Sequence, residues 1–344
     1  MCVCVNVLIM SRVHEIYSNI ISLENLFDAW GEFKKGKRLR KDVQVFERYL
    51  EDNLFLLHEQ LKEKTYKHGD YTAFNIYDPK FRHIHKAEVR DRIVHHAVVS
   101  VIEPFFDKTF IFDSYSCRKN RGAHKAVKRL FGFIRKVSKN YREDCFCLKL
   151  DIKKFFESVN HNKLTSLITK KIQDRDLLLL VKNILKSFSR EKGIPIGNLT
   201  SQLFANVYLD HLDQFLKHEL KIKYYIRYAD DFVILSANQE HLKQLIPRIA
   251  AFLKTNLALS LHKNKIVLRK YIQGIDFLGY IVLPYYILPR TKTKRRMFKK
   301  LKGKVSSENF NQSLQSYLGY LKHANSYKIS QQIKNDFFWG LDKN

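Results

Sequence analysis

Cysteine, proline and glycine are all scarce in this chain of 344 residues, at five, six and twelve. The cysteines, Cys2, Cys4, Cys117, Cys145 and Cys147, form an odd and sparse set, which excludes a disulfide scaffold. With so little glycine and proline, and no repeat or low-complexity stretch, flexible linkers are not expected and the domains should pack closely. No run approaches the roughly 20 apolar residues that cross a bilayer, so no membrane is expected. The opening MCVCVNVLIM lacks a basic leader and a small-residue cleavage site. It reads as an N-terminal strand, or as upstream sequence with Met10 the true start. Acid is scarce too: 34 Asp and Glu stand against 62 Lys and Arg, a net charge of +28. Such an excess calls for a polyanion, nucleic acid ahead of an anionic membrane face.

Apolar residues make up 45% of the sequence and aromatics 13%, enough for a sizeable core and too many for disorder. The length predicts about two domains. Residues 13–66 read mostly as helix, and helix resumes at RDRIVHHAVVSVIEPFF after the turn signal YDPK. CFCLKLD alternates as a strand and NHNKLTSLITKKI has helical spacing. KYYIRYADDFVILS is two β-rich runs around a short acidic turn, a hairpin signature. EHLKQLIPRIAAFLKTNL reads as helix, LALSL, KIVL and DFLGYIVLP as strands, and the region from 284 onward as basic helix ending in the aromatic DFFWG. Strands and helices mix without βαβ alternation, so the class is α+β.

Two acidic positions end apolar strands. Asp151 closes CFCLKLD, where Cys145, Cys147, Lys149 and Asp151 share a face by period two. Asp230 and Asp231 sit at the tip of YIRYADDFVIL. Taken singly, an Asp after a strand is a helix cap and Asp-Asp is a turn. Together, carboxylates on the ends of buried strands are costly to ionise unless a cation sits between them. Such a set holding two Mg²⁺ ions suits in-line phosphoryl transfer to a 3′-hydroxyl.

At this point the residues resemble a known family. Y-A-D-D at 228–231 is similar to the catalytic motif of reverse transcriptases, and LKLDIKKFFESV (148–159) to their first aspartate motif. GIPIGNLTSQ (193–202) resembles their template- and nucleotide-contacting loop, and IVLRKYIQGIDFLGY (266–280) their primer grip. RDRIVHHAV and DSYSCRKNRGAHKAV resemble the fingers. Order and spacing hold from about 75 to 325. The resemblance implies a right-hand polymerase fold: fingers with an N-terminal helical extension over 1–140, a palm over 141–283 with part of the fingers inserted at about 160–195, and a basic helical thumb over 284–344.

The resemblance also assigns roles. Asp151, Asp230 and Asp231 would hold two Mg²⁺ ions, or Mn²⁺ in their place, with the Ile152 backbone carbonyl as a further ligand. Strand parity turns Asp231 away from Asp230 unless the turn re-aims it. Lys265 would protonate the leaving pyrophosphate, with Lys263 as its rival. Arg118 would grip the incoming triphosphate. Phe156, or else Phe155, would be the steric gate that excludes a ribose 2′-hydroxyl, the other ring packing in the core. Ile196, Gly197 and Gln202 would lie at the nucleotide, and Phe277, Leu278, Gly279 and Tyr280 would form the primer grip.

The loop GIPIGNLTSQ departs from the commoner family form: Ile196 stands for glutamine and Gln202 for proline. That pattern resembles reverse transcriptases of diversity-generating retroelements, which copy a template RNA with errors opposite adenine. Isoleucine can pack but cannot hydrogen-bond near the nascent base pair, so geometric checking would relax; alternatively Ile196 only fills a gap. About 60 residues after the primer grip leave space for a thumb alone, unlike group II intron proteins with a maturase segment, and the retron V-T-G is absent. A defence-associated polymerase is the serious rival, and an RNA-binding protein with a dead core the non-enzyme alternative. Between 261 and 304 stand 13 Lys and Arg against one acid, Asp276. Arg290, Lys294, Arg295, Arg296, Lys299 and Lys300 would run along the phosphates of an RNA–DNA hybrid. The resemblance further implies template RNA and deoxynucleotides as partners, a small helical ring-forming accessory protein, and a cytoplasmic bacterial, archaeal or phage setting.

Overall fold

The computed structural model describes residues 16–77, 80–303 and 309–337. Cys2, Cys4, Met10 and the expected N-terminal strand lie outside the described residues, as do Asp78, Pro79 and Lys304. The described cysteines, Cys117, Cys145 and Cys147, are all free thiols. Two compact units form. One gathers the described residues up to Phe112 with Ile152–Lys221 and Ala250–Leu261; the other gathers Asp113–Asp151, Ile222–Ile249 and the described residues from His262 onward.

The first unit is mainly helical. Helices Ile16–Ile21, Leu23–Lys34, Lys41–Arg48 and Leu50–Lys62 account for the helical reading of the N-terminal region. Ser22 caps the second of these by accepting from the Asn25 N–H, which satisfies a donor the helix leaves open. Strand β1 (Thr72–Ile76) pairs antiparallel with β2 (Arg82–Lys86) as an isolated ribbon. Helix Val89–Asp107 is buried on most sides, including Asp91 and His95. Helices His161–Thr169, Arg175–Phe188 and the largely buried Leu199–Gln214 complete the unit. The strand expected at LALSL is not there: helix Gln239–Leu257 takes its first residue, and only Leu261 makes a single bridge, to Ile152. An apolar run that follows a helix can alternate as a strand does, and here burial of Leu257, Leu259 and Leu261 explains the pattern with no ladder beyond that one bridge.

In the second unit, β3 (Phe146–Asp151), β4 (Tyr225–Tyr228), β5 (Asp231–Ser236) and β6 (Val267–Lys270) form an antiparallel sheet in the order β4-β5-β3-β6. Helix Ala123–Val137 covers one face, its Val127, Leu130 and Ile134 packing with Cys147, Ile226, Val233 and Leu235. DFLGYIVLP, expected as one strand, is instead a hairpin of β7 (Ile275–Phe277) and β8 (Tyr280–Val282). Its loop residues Leu278 and Gly279 both take positive φ, the type I′ pattern that matches strand twist. Strand β9 (Ile287–Pro289) then pairs with β8, so strand persists past residue 284 before the basic helices begin. Those helices, Thr291–Lys302, Phe310–Leu321 and Tyr327–Phe337, share a core of Met297, Leu301, Phe310, Leu314, Leu321, Ile333 and Phe337.

Candidate active site

The acidic hairpin is built by register. Tyr228 pairs with Asp231 across β4 and β5, which leaves Ala229 and Asp230 as a two-residue turn. Ala229 takes φ +53 while Asp230 does not enter the positive range, the pattern of a type II′ turn. Glycine is the usual occupant of Ala229's position, so alanine there stores about 1 kcal/mol of backbone strain. The fully buried Arg227 supports the turn: its Nη1 donates to the Ala229 carbonyl at 3.2 Å. Its own backbone N–H donates to Asp113 O, and its carbonyl accepts from Tyr115 N–H, each at 3.0 Å.

Across β3 and β5 the register pairs Asp151 with Asp231, so the strand parity that separated Asp231 from Asp230 places it beside Asp151. Each of the two carboxylates meets a lysine. Lys265 Nζ lies 2.7 Å from Asp151 Oδ1, held there by a short 3₁₀ turn and by His262 N–H donating to the Asp151 carbonyl. Of the two lysines left open by sequence, Lys265 is the one with its ammonium on Asp151. Lys149 Nζ lies 3.1 Å from Asp231 Oδ2 and donates to the Asp276 carbonyl at 2.9 Å. Sequence reasoning put Lys149 on the face of Asp151 but gave it no role; that parity was the available signal. Arg227 had no signal at all.

Burial pushes the Asp231 carboxyl up to about 6, against the pull of Lys149, and the nearby Asp151 and Asp230 push the same way as burial. Asp231 Oδ1 is buried with no hydrogen-bond partner. Among the described residues no group of three or more His, Cys, Asp or Glu is gathered as a metal cage. The donors nevertheless fit Mg²⁺, a hard cation that binds through one or two carboxylates together with substrate phosphates. Ile152, the further ligand implied by resemblance, follows directly and is fixed by its bridge to Leu261.

The other expected residues divide between the two units. In the second, Arg118 donates to the Ser114 carbonyl at 3.0 Å. Phe277 and Tyr280 are buried, which leaves Leu278 and Gly279 as the accessible part of the hairpin expected to be the primer grip. Tyr320 Oη donates to the Gly279 carbonyl at 2.6 Å, and Arg290 N–H donates to the same oxygen. The Arg290 side chain is ion-paired with Asp276. Helix Thr291–Lys302 buries Thr293, Met297 and Leu301 at helical spacing, so Lys294, Arg295, Arg296, Lys299 and Lys300 stand on its other faces.

In the first unit, Phe155 is buried against Tyr208 while Phe156 stays partly exposed, which separates the two candidate rings. Ile196 is partly exposed, its carbonyl accepting from His85 N–H at 3.2 Å. Gly197 takes φ +124, and a Cβ there would sit 3.2 Å from Ile84 Cγ2, so glycine lets this loop approach β2. Gln202 is exposed. A buried polar chain that sequence did not reveal anchors the same loop. Thr200 Oγ1 lies 2.8 Å from His95 Nδ1, His95 Nε2 lies 3.2 Å from His68 Nε2, and Asn198 Nδ2 donates to Tyr71 Oη at 3.1 Å.

Comparison with known proteins places the chain in a family. Residues 67–282 match the family model described as reverse transcriptase (RNA-dependent DNA polymerase). The chain is 24% identical over 285 residues to the putative COX1/OXI3 intron 2 protein of Saccharomyces cerevisiae, covering 64% of this chain and 32% of that protein. It is 22% identical over 398 residues to the group II intron-encoded protein LtrA of Lactococcus lactis subsp. cremoris, covering 93% of this chain and 63% of that one. The chain thus spans a third to under two thirds of the length of these relatives. Among solved structures, apo telomerase from Candida tropicalis shares the fold at a TM-score of 0.51 and 13% identity, over 78% of this chain and 56% of that one. Among the described residues no helix is long and apolar enough to cross a membrane. With the family model matching well over half of its length, the chain belongs to the reverse transcriptase family.

Proposed function

We propose that this chain is an RNA-directed DNA polymerase that copies a template RNA into cDNA, with Asp151, Asp230 and Asp231 as its catalytic carboxylates. The observation that carries the reading is the register of β3 against β5, which sets Asp151 beside the Y-A-D-D hairpin. Two Mg²⁺ ions held by these carboxylates would lower the pKa of the primer 3′-hydroxyl and neutralise the departing pyrophosphate. The chain's own groups do the rest. Lys149 balances the buried charge of Asp231, and Lys265 is the candidate proton donor to the pyrophosphate. Phe156 is the candidate sugar gate and Arg118 the candidate triphosphate contact. The basic helix Thr291–Lys302 follows the phosphates of the hybrid. In this reading the fingers, palm and thumb occupy 1–140, 141–283 and 284–344, template RNA and deoxynucleotides are the ligands, and the setting is cytoplasmic.

The finer assignment is to a diversity-generating retroelement, with error-prone copying of adenines and a ring-forming helical accessory protein. Ile196 and Gln202 support it. The relatives whose names refer to introns favour the second reading, a group II intron-like polymerase without a mutagenic role. Primer extension on an RNA template tests the common part. Asp230→Asn keeps size and removes charge, and should lower cDNA synthesis by several orders of magnitude. Near-normal synthesis by the folded variant would overturn the polymerase reading.

A further inference from the structure

The second unit carries an aromatic ladder far from its carboxylates. Tyr271 N–H is tied to the Cys145 carbonyl just before β3, whereas Asp151 closes β3 at the other end, roughly 20 Å on at strand rise. Beside the buried Tyr271, the Tyr141 ring lies near parallel at an interplanar angle of 21° with centroids 6.1 Å apart, and the Tyr285 ring leans on Tyr141 at 55° with its centroid 4.4 Å away. The ladder ends in solvent: Tyr285 is 72% exposed and the adjoining Tyr286 is 43% exposed.

Backbone conformation makes the exposed ring unusual. Tyr285 joins β8 to β9 at φ +69, directly after Pro284, which is the φ pattern of a type II turn. Glycine normally fills that position, and a bulky aromatic there is an outlier. Tyr141 is held the same way, the last of three consecutive residues at positive φ, Lys139 to Tyr141. Two strained loops thus converge to set one ring against another. Strain retained at a surface position points to a use for the side chain that the fold itself does not need.

The charge around the ladder selects its occupant. Arg135 acts electrostatically on Tyr141, and both Arg135 and Arg142 are exposed. The neighbouring acids Glu143 and Asp144 are already ion-paired with Lys139 and Lys270. An open aromatic face flanked by cations is the arrangement that takes successive bases and phosphates of a single strand. We propose that Tyr285, backed by Tyr141 and Tyr271, is a stacking platform for single-stranded RNA, outside the catalytic centre. The inference rests on the polymerase reading only for the identity of the polymer, since template RNA is the single strand such an enzyme must hold.

The test uses the full chain and a fluorescent 20-nucleotide oligouridylate, with Kd read by anisotropy at fixed salt. Tyr285→Gly removes the ring and relieves the backbone, so folding should survive with an unchanged or higher melting temperature. Affinity should fall roughly 5- to 100-fold, and Tyr285→Trp should restore it. Extension of a short primer–template should continue in Tyr285→Gly, so failure of this proposal is distinct from failure of the polymerase reading, which Asp230→Asn addresses. Photo-crosslinking of 4-thiouridine RNA should map to the peptide holding Tyr285 and Tyr286. Affinity within twofold of the parent would overturn the proposal, as would a variant that keeps RNA affinity but loses self-association, which would make the ladder a protein-docking surface.

Discussion

Asp151 and Asp231 are register partners across β3 and β5, and each is matched by a lysine from its own unit, Lys265 on Asp151 and Lys149 on Asp231. The two lysines differ in setting. Lys265 is nearly half exposed at its side chain, 46%, whereas Lys149 is at 20% and also holds the Asp276 carbonyl. A cation entering the site can therefore displace Lys265 far more easily than Lys149. Lys149 belongs to the framework of the site.

Lys149→Met should accordingly destabilise the protein, by about 3 kcal/mol, because it leaves Asp231 buried without its counter-charge. Lys149→Met with Asp231→Asn should recover much of that loss. Chemical denaturation of the parent, both single variants and the double variant measures the coupling. Additive losses would show that the pair is not coupled.

The two phenylalanines after Asp151 should separate by phenotype. Phe155→Ala removes a core ring and should cost about 3–5 kcal/mol of stability. Phe156→Ala should leave the melting temperature nearly unchanged and raise ribonucleotide incorporation, read by alkaline cleavage of the cDNA. Unchanged sugar discrimination in Phe156→Ala would place the gate elsewhere.

Stability should depend on pH through two imidazoles, the buried His95 and the partly buried His96. Burial pushes His96 down to about 4, helped by Lys37 and Arg92 and opposed by Glu32, and burial lowers fully enclosed His95 well below its ordinary value. Both are depressed on folding, so the unfolded chain binds more protons below about pH 6.5. Stability should be full above that value and fall as pH drops from about 6.5 towards 4. The loss is at most about 1.4 kcal/mol per pH unit for each imidazole, and less for His96, which solvent partly reaches. Melting curves at pH 7, 6 and 5 should show the decline, and His96→Asn should flatten it. Equal slopes would mean that His96 is not the titrating group.

Ile196→Gln tests the retroelement assignment. A restored amide should lower misincorporation opposite template adenine several-fold, since one added hydrogen bond supplies only about 1 kcal/mol net. Sequencing cDNA from one defined template, made by parent and variant at matched nucleotide concentrations, gives the comparison. Equal adenine error rates would reduce Ile196 to packing and leave the intron-like reading.

The strand and hairpin of the candidate site were legible because apolar alternation runs straight into acid at Asp151 and at Asp230. Ribbon β1–β2 was not legible: β1 is exposed along its whole length, so no buried face imposed a period. The hairpin at Leu278 and Gly279 was hidden by a leucine in a position that usually announces itself with asparagine or glycine. Lys149 was visible as a face but not as a partner, because pairing depends on a strand 80 residues away in sequence. Nothing local marks the chain from Thr200 through His95 to His68, since histidine in a helix is as often simple packing.

The two-residue turn at Ala229 and Asp230 has a consequence for how this chain can vary by insertion and deletion. A single residue added to either arm of the hairpin would shift the register by about 3.4 Å and swing Asp231 to the other side of the sheet. The loop that joins β5 to helix Gln239–Leu257 can lengthen without that effect. Length variation among functional descendants of this sequence should therefore fall after Ser236 and stop at Tyr228, and Ala229→Gly is the change that the turn should accept most readily.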